Sequence, residues 1–158
     1  MIKKIKNKGH VLSLSNGFSL VELLIVICII GILSTIVLSS VSNSRARAYD
    51  SKIKQQLSSF RTAAEIYFSN QIPPNYGPTT SVCSSGIFND VSADNGAPGL
   101  YIAAGNIPSF SDIKCGSNGV DYAIKASLYS GNEYWCIDNK GSSRIITGAI
   151  GDSATFCL

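Results

Sequence analysis

The chain has 158 residues, a length that allows one ordinary globular domain and a shorter additional segment. Its formal net charge is +3, but four of its thirteen basic residues are lysines within the first eight positions, which contain no acid. The remaining nine basic and ten acidic side chains nearly balance, and this excludes a generally basic surface for nucleic acid from the rest of the chain.

A long apolar run follows the basic amino terminus. From Phe18 to Leu38 there are 21 residues, and only Glu22 among them is charged. A helix of about 20 residues crosses a bilayer core, so the run predicts a membrane-spanning helix. More basic residues precede the run than follow it, which predicts a cytoplasmic amino terminus and a carboxyl-terminal part outside the membrane.

A cleaved secretory signal is the competing interpretation of this run, because residues 46–48 read Ala-Arg-Ala, a small-x-small form that signal peptidase favours. The run is longer than a typical signal core, it contains an acid near its start, and arginines stand beside the potential cut. These features favour a helix that stays in the protein.

The acid of the apolar run, Glu22, requires explanation, because a charge inside lipid is costly unless it has a partner. One alternative is that Glu22 lies close enough to the end of the helix to reach the membrane interface. A second feature is that the small residues Gly31, Thr35 and Ser39 recur at every fourth position along the run and just past its end. This spacing is typical of helix faces that pack closely, although small residues are also common in membrane helices.

The helical pattern continues beyond the apolar run as one amphipathic stripe with spacings of three and four residues. The stripe consists of Ala46, Tyr49, Ile53, Leu57, Phe60, Ala64 and Tyr67. Pro73 and Pro74 end the pattern because proline cannot donate a backbone hydrogen bond. The sequence therefore predicts one continuous helix over residues 18–70, with its first half in lipid and its second half against a domain.

The carboxyl-terminal part has the pattern of a small antiparallel sheet. Residues 78–118 are rich in Gly, Ser, Asn and Pro and are predicted as a loop with a short helix or strand. Apolar residues alternate from Val120 to Leu128, which predicts a half-buried strand, and the turn sequences SGN and NKGS then predict three antiparallel strands. The stripe on the helix is the only large apolar surface available to cover the sheet. The predicted fold class is therefore α+β.

The carboxyl-terminal half contains four cysteines, whose number favours two disulfides and an oxidising compartment. They are Cys83, Cys115, Cys136 and Cys157. Four reduced, buried cysteines are the alternative, and four cysteines allow three connectivities. Because no C-x-x-C pair occurs and His10 is the one histidine, no metal site is expected.

The basic leader, the sequence GFSLVELLIVICIIGIL and the long amphipathic helix together resemble the type IV pilins and pseudopilins. The resemblance is strong over residues 13–70 and architectural beyond them. It implies that prepilin peptidase cuts between Gly17 and Phe18 and methylates the new amino terminus at Phe18. Glu22 matches the glutamate at the fifth position of the mature chain, which in this family pairs with the amine of a neighbouring subunit.

The resemblance also implies an organisation and a function. The expected segments are a leader at 1–17, an assembly half of the helix at 18–41, an amphipathic half at 42–70 and a globular region at 71–158. The expected function is a structural subunit of a pilus or pseudopilus fibre. The expected partners are other pilin subunits, prepilin peptidase, the inner-membrane assembly machinery and, before assembly, membrane lipid. The expected location is the inner membrane and then the fibre.

Two further expectations follow from the resemblance. The favoured disulfides are Cys83 with Cys115 and Cys136 with Cys157, since the second pair would close a carboxyl-terminal loop like that of many pilins. The alternatives to a main pilus subunit are a minor pilin, a secretion pseudopilin and a fibre-tip module that binds DNA or a surface ligand. The nearly balanced charge from residue 42 onward argues against strong DNA binding, so no specific nucleic acid is predicted as a partner.

Catalytic signatures are absent from the sequence. His10 lies in the leader, no G-x-S-x-G or glycine-rich phosphate loop occurs, and the acids of the domain are scattered. We therefore expect no enzyme activity, no catalytic residue and no cofactor.

Overall fold

The computed structural model describes residues 17–109, 111–129, 132–147 and 154–157, and of Ser39 it describes only the backbone. Residues 1–16 of the predicted leader and residues 130 and 131 of the predicted SGN turn lie outside the described residues. The chain divides into two compact units, Met1–Ser40 and Val41–Leu158.

One α-helix, α1, runs Leu20–Asn70 and contributes residues to both units. It begins at Leu20 rather than at the predicted Phe18, because the Ser19 hydroxyl accepts the backbone N–H of Val21 at 3.4 Å and so caps the first turn. It ends before Pro73, as predicted from the proline pair that follows.

The first unit includes the apolar part of α1, in which the described large apolar side chains are all exposed. By length and composition α1 is the one helix, among the described residues, that could cross a membrane. The hydroxyls of Ser34 and Thr35 donate to the carbonyls of Ile30 and Gly31 at 2.7 and 3.0 Å. These two hydroxyls are therefore satisfied within the helix and place no unpaired donor on its surface.

The second unit contains an antiparallel sheet of four strands in the order β1-β2-β3-β4. The strands are β1 (Ile113–Ser117), β2 (Tyr122–Ser127), β3 (Glu133–Asp138) and β4 (Ser143–Thr147). The chain between α1 and β1 contains, in sequence order, two 3₁₀ turns, Gly86–Phe88 and Ala93–Asn95, and a short helix α2 (Pro98–Ile102). The α+β architecture predicted from the sequence is confirmed.

The strand β1 corrects the prediction of three strands. It lies in the segment 78–118 that the sequence predicts as a loop with a short helix or strand, and its five residues, which include Lys114 and Gly116, have little strand preference of their own. Its strand character comes from pairing with β2, in which Cys115 lies opposite Ile124.

The amphipathic half of α1 covers one face of the sheet. Its buried stripe, Ile53, Leu57, Phe60, Ala64 and Tyr67, belongs to the main core. Within that core the ring of Phe60 stacks on Phe88 and meets Tyr122 edge-on, with both centroid distances at 5.7 Å. Tyr49 also belongs to the predicted apolar stripe and is therefore expected to pack against the domain, but its side chain is 42% exposed.

The opposite face of the sheet is also covered, so the prediction of a half-buried strand is wrong for β2, whose residues are all buried. A second, smaller core of Ala123, Cys136, Ile146 and Cys157 lies on that face. Cys157 comes from the segment 154–157 at the end of the chain. Because this covering segment is far from β2 in sequence, the pattern of apolar residues along β2 does not reveal it.

Two disulfides join the same pairs that the sequence analysis favours, Cys83–Cys115 and Cys136–Cys157. Cys115 belongs to the main core and Cys136 to the smaller one. The two bonds therefore fasten different segments to opposite faces of the sheet.

Candidate functional site: the amino-terminal processing and assembly segment

The predicted cleavage bond lies outside the helix. Gly17, Phe18 and Ser19 are exposed and have no regular secondary structure, and Phe18 is 72% exposed. A side chain added at Gly17 would meet no atom of the described residues within 4 Å. The described part of the fold therefore does not itself require a glycine at this position.

The structure gives Glu22 a partner within its own chain. The backbone N–H of Ser19 donates to Glu22 Oε2 at 2.9 Å, while the hydroxyl of Ser19 caps Val21. The contact with Glu22 is the glutamate half of a capping box, while the serine hydroxyl caps the second helical residue instead of the third. Together the two contacts satisfy two backbone donors at the start of the helix. The signature of this contact, S-x-x-E before an apolar run, is present in the sequence SLVE, but the predicted partner of Glu22 is an amine of another subunit and not Ser19.

The cap leaves Glu22 able to accept a further donor. A carboxylate offers about four lone-pair sites on two oxygens, and the bond from Ser19 occupies one of them. The pair that we expect between Glu22 and the amine of another subunit is compatible with the cap, and it stays a prediction.

The small-residue face predicted along the apolar helix is open at Gly31. A side chain added at Gly31 would meet nothing within 4 Å, and the hydroxyl of Thr35 is bonded to the Gly31 carbonyl. The side chain of Ser39, the third member, lies outside the described residues. At Gly31 another helix would therefore meet neither a bulky group nor an unsatisfied hydroxyl.

In the second unit a buried carboxylate organises the end of the chain. Asp138 is 1% exposed and accepts the backbone N–H groups of Ser142 at 2.9 Å and of Lys140 and Cys157 at 3.0 Å. Burial alone would raise the pKa of Asp138, but these hydrogen bonds to its charged form outweigh that effect and lower the pKa. Arg144 donates to the Cys157 carbonyl at 2.7 Å. The carboxyl-terminal segment is thus held by polar contacts as well as by its disulfide.

A second polar group lies between α1 and the sheet. Tyr76 donates its hydroxyl to Glu65 at 2.9 Å, and Arg61 donates to the carbonyl of Ser142. Burial raises the pKa values of Tyr76 and Tyr122 far above the ordinary value, so both phenols stay protonated at an alkaline pH at which an exposed tyrosine ionises. In the part of the chain that the structure describes, no three His, Cys, Asp or Glu side chains are placed to hold a metal ion.

Comparison with known proteins bears on the amino-terminal segment. Residues 12–38 match the family model described as the prokaryotic N-terminal methylation motif. The chain carries the type IV pilin signature. The Gly17–Phe18 bond, Ser19 and Glu22 all lie within the matched residues, so the resemblance predicted from the sequence is confirmed there.

Three type IV major fimbrial proteins FimA from Dichelobacter nodosus are similar to part of the chain. Each is 43% identical over 53 residues, which is 34% of this chain and 33 or 34% of the relative. The chain thus spans about a third of the length of the curated relatives that it matches. No solved structure matches the chain at a comparable level of significance.

Proposed function

We propose that the chain is a structural subunit of a type IV pilus fibre. Prepilin peptidase removes residues 1–17 and methylates the amine of Phe18. The apolar helix anchors the chain in the inner membrane with its amino terminus in the cytoplasm, and the assembly machinery then moves it into the fibre beside other pilin subunits. The observation that carries this proposal is the match of residues 12–38 to the methylation motif on an exposed apolar helix.

Glu22 has a specific role in this proposal. Cleavage creates an ammonium on Phe18, and the carboxylate of a neighbouring subunit neutralises it in surroundings of low dielectric constant. Such a pair fixes the offset between adjacent helices. Any other register would leave both charges without partners in apolar surroundings, and the free energy of that state is higher. The capping bond from Ser19 orients the carboxylate before assembly.

Two substitutions at Glu22 separate charge pairing from capping. Glu22→Gln keeps an oxygen that accepts the Ser19 N–H but removes the charge, whereas Glu22→Ala removes both. With either variant as sole copy of the subunit, we expect normal insertion and cleavage and a fibre yield that falls by at least about tenfold. Fibre is measured by shearing and immunoblotting. A normal yield from Glu22→Gln would contradict the charge pair and leave Glu22 as a cap only.

Cleavage is tested separately. Co-expression with an active prepilin peptidase should remove residues 1–17, and intact mass should show a chain that begins at methylated Phe18. Gly17→Leu should block cleavage without disturbing the chain, because a side chain at Gly17 meets nothing in the structure. Asn16→Leu, one position earlier, is the matched control. An unchanged mass for the unmodified chain would contradict the proposal.

A further inference from the structure

Charged residues are unevenly distributed along the second unit. Residues 42–61 contain five basic residues and one acid, whereas residues 62–109 contain three acids and no base. The proposed pairing of Glu22 uses none of these charges. Their positions in the fold show that they belong to two different surfaces.

A row of cations on α1 borders the β4 edge of the sheet. Arg47, Lys54 and Arg61 recur at every seventh residue, which places them on one face of the helix. Lys54 Nζ lies 4.9 Å from the centre of the Trp135 ring, and Arg61 donates to the hydroxyl of Ser143 at 3.0 Å. A ring and a hydroxyl are neutral partners, so these contacts do not neutralise the two cations.

The centre of this surface is apolar. Ile145 of β4 lies directly opposite Trp135 of β3, so both side chains are on the same face of the sheet. Ile145 is exposed and Trp135 is half-buried. An apolar centre with a charged rim is the usual composition of a protein–protein interface, in which Trp and Arg are enriched. We call this surface the basic flank, and it consists of Arg47, Lys54, Arg61, Trp135 and Ile145.

A second surface combines an apolar centre with acid. Ile66, Gly96 and Tyr101 line a depression of about 220 Å³ between α1 and the loop that packs on it. Ile66 and Leu100 are exposed, and so is Asp94, which precedes Gly96 by two residues. We call this surface the acidic flank, and it consists of Ile66, Asp94, Gly96, Leu100 and Tyr101.

The two flanks face different sides of the second unit. Ile66 comes twelve residues after Lys54, and at 3.6 residues per turn this places it about 120° around α1 from Lys54. A single copy therefore cannot bring its own flanks together. Another copy of the chain carries the complementary charge and a second apolar centre, so it fits either flank.

We propose that the basic flank of one copy binds the acidic flank of the next copy. Because the contact joins two different surfaces, each added copy leaves one flank of each kind free, and the arrangement extends as an open filament. Exposed ion pairs are individually weak, so this contact orients copies that the apolar helices already hold together. The inference rests on the fibre assembly in the proposed function.

Photocrosslinking of the full chain tests the contact. The chain is the sole copy of the subunit and carries the photoreactive residue p-benzoylphenylalanine in place of Ile145. After illumination we expect a covalent dimer of the chain. Peptide mapping should place the crosslink on residues 94–101 of the other copy.

Charge reversal in the same crosslinking chain tests the pairing of the flanks. Lys54→Glu and Asp94→Lys should each reduce the dimer, measured per chain in the cell, about fivefold, as expected for the loss of one exposed ion pair. The variant that carries both changes should return the dimer to within about twofold of the parent level, because the two changes are coupled. Lys52→Glu is the matched control, since Lys52 is an exposed lysine two residues away that belongs to neither flank. It should leave the dimer unchanged.

Three results would overturn the inference for a parent chain that forms fibres. Absence of the dimer would exclude the basic flank as a contact. A crosslink to residues 135–147 of the other copy would mean that two basic flanks meet. A double variant no better than the single variants would show that the charges do not pair. A parent chain that forms no fibre would contradict the proposed function itself and, with it, this inference.

Discussion

At the scale of single residues, Ser19 decides where the helix begins and therefore leaves the Gly17–Phe18 bond outside it. Its hydroxyl accepts the backbone N–H of Val21, and its backbone N–H donates to the carboxylate of Glu22. A peptide bond within an α-helix has its backbone groups engaged, whereas a bond in front of the cap can extend into the groove of an enzyme. The cap thus joins Glu22, the residue proposed for assembly, to the segment that contains the proposed cleavage site.

We expect Ser19→Ala to loosen the first turn of α1. Loss of a serine cap costs about 1 kcal/mol, which corresponds to about fivefold faster exchange of the amides at the start of the helix. Hydrogen exchange of the full chain in detergent micelles measures this. Ser34→Ala is the control, because that hydroxyl bonds back to Ile30 in mid-helix and caps nothing. Equal exchange in the two variants would contradict the capping role.

The second such residue is Asp138, whose contribution to the stability of the fold depends on pH. Its pKa is lower in the folded chain than in the unfolded chain, so its contribution to stability is complete at neutral pH. That contribution is lost as the pH falls below about 4, the ordinary value for an aspartate, and through the lower value of the folded state.

We expect Asp138→Asn to lower the free energy of unfolding by about 2 kcal/mol at pH 7, because one acceptor oxygen is replaced by a donor that faces backbone N–H groups. Between pH 5 and pH 2 the stability of the variant should fall less than that of the parent chain. Denaturant unfolding of the full chain in micelles, followed by Trp135 fluorescence, measures both. Parallel pH profiles would show that Asp138 does not carry the acid sensitivity. Asp112→Asn, at an exposed carboxylate, is the control.

At the scale of elements, the sequence predicts what depends on local periodicity and misses what depends on distant segments. The stripe of α1 identifies the helix and its buried face, since each member is three or four residues from the next. The cover over the outer face of β2 depends on such a distant segment, whereas β1 is missed because its strand character comes from pairing with the neighbouring β2 and not from the preference of its own residues. In the candidate site, resemblance to the family identifies Gly17, Phe18 and Glu22. The capping role of Ser19 becomes visible only once the structure shows that α1 begins at Leu20.

The two disulfides should contribute in different ways to the second unit. Each closes a loop for which chain entropy gives about 3 kcal/mol of stability. Replacing Cys136 and Cys157 together by Ser should also free the carboxyl-terminal segment and take the Cys157 N–H away from Asp138. Replacing Cys83 and Cys115 by Ser leaves that bond in place. We therefore expect the acid sensitivity of unfolding to shrink only in the first variant. The same change in both variants would uncouple Asp138 from the Cys136–Cys157 disulfide.

At the scale of the whole molecule, the two units have opposite relations to solvent. The first unit exposes its large apolar side chains, so it requires lipid or other helices around it. The second unit encloses two cores, and every residue of both cores lies between Ile53 and Cys157. One unit is therefore complete only in a membrane or an assembly, while the other holds what it needs to fold.

This difference predicts that a fragment of residues 41–158 folds without the apolar helix. Its core uses no residue before Ile53, and the boundary between the units falls at Val41. Exported to an oxidising compartment, the fragment should be monomeric and should form the disulfides Cys83–Cys115 and Cys136–Cys157. Its amides in β2 should exchange as slowly as those of the full chain, because β2 is buried on both faces.

Non-reducing peptide mapping and hydrogen exchange are the measurements. The same fragment with Phe60→Ala, which should lose about 3 to 5 kcal/mol from its core, is the comparison for an unfolded outcome. Mixed disulfide pairs or fast exchange in β2 of the unmodified fragment would mean that the second unit depends on the first.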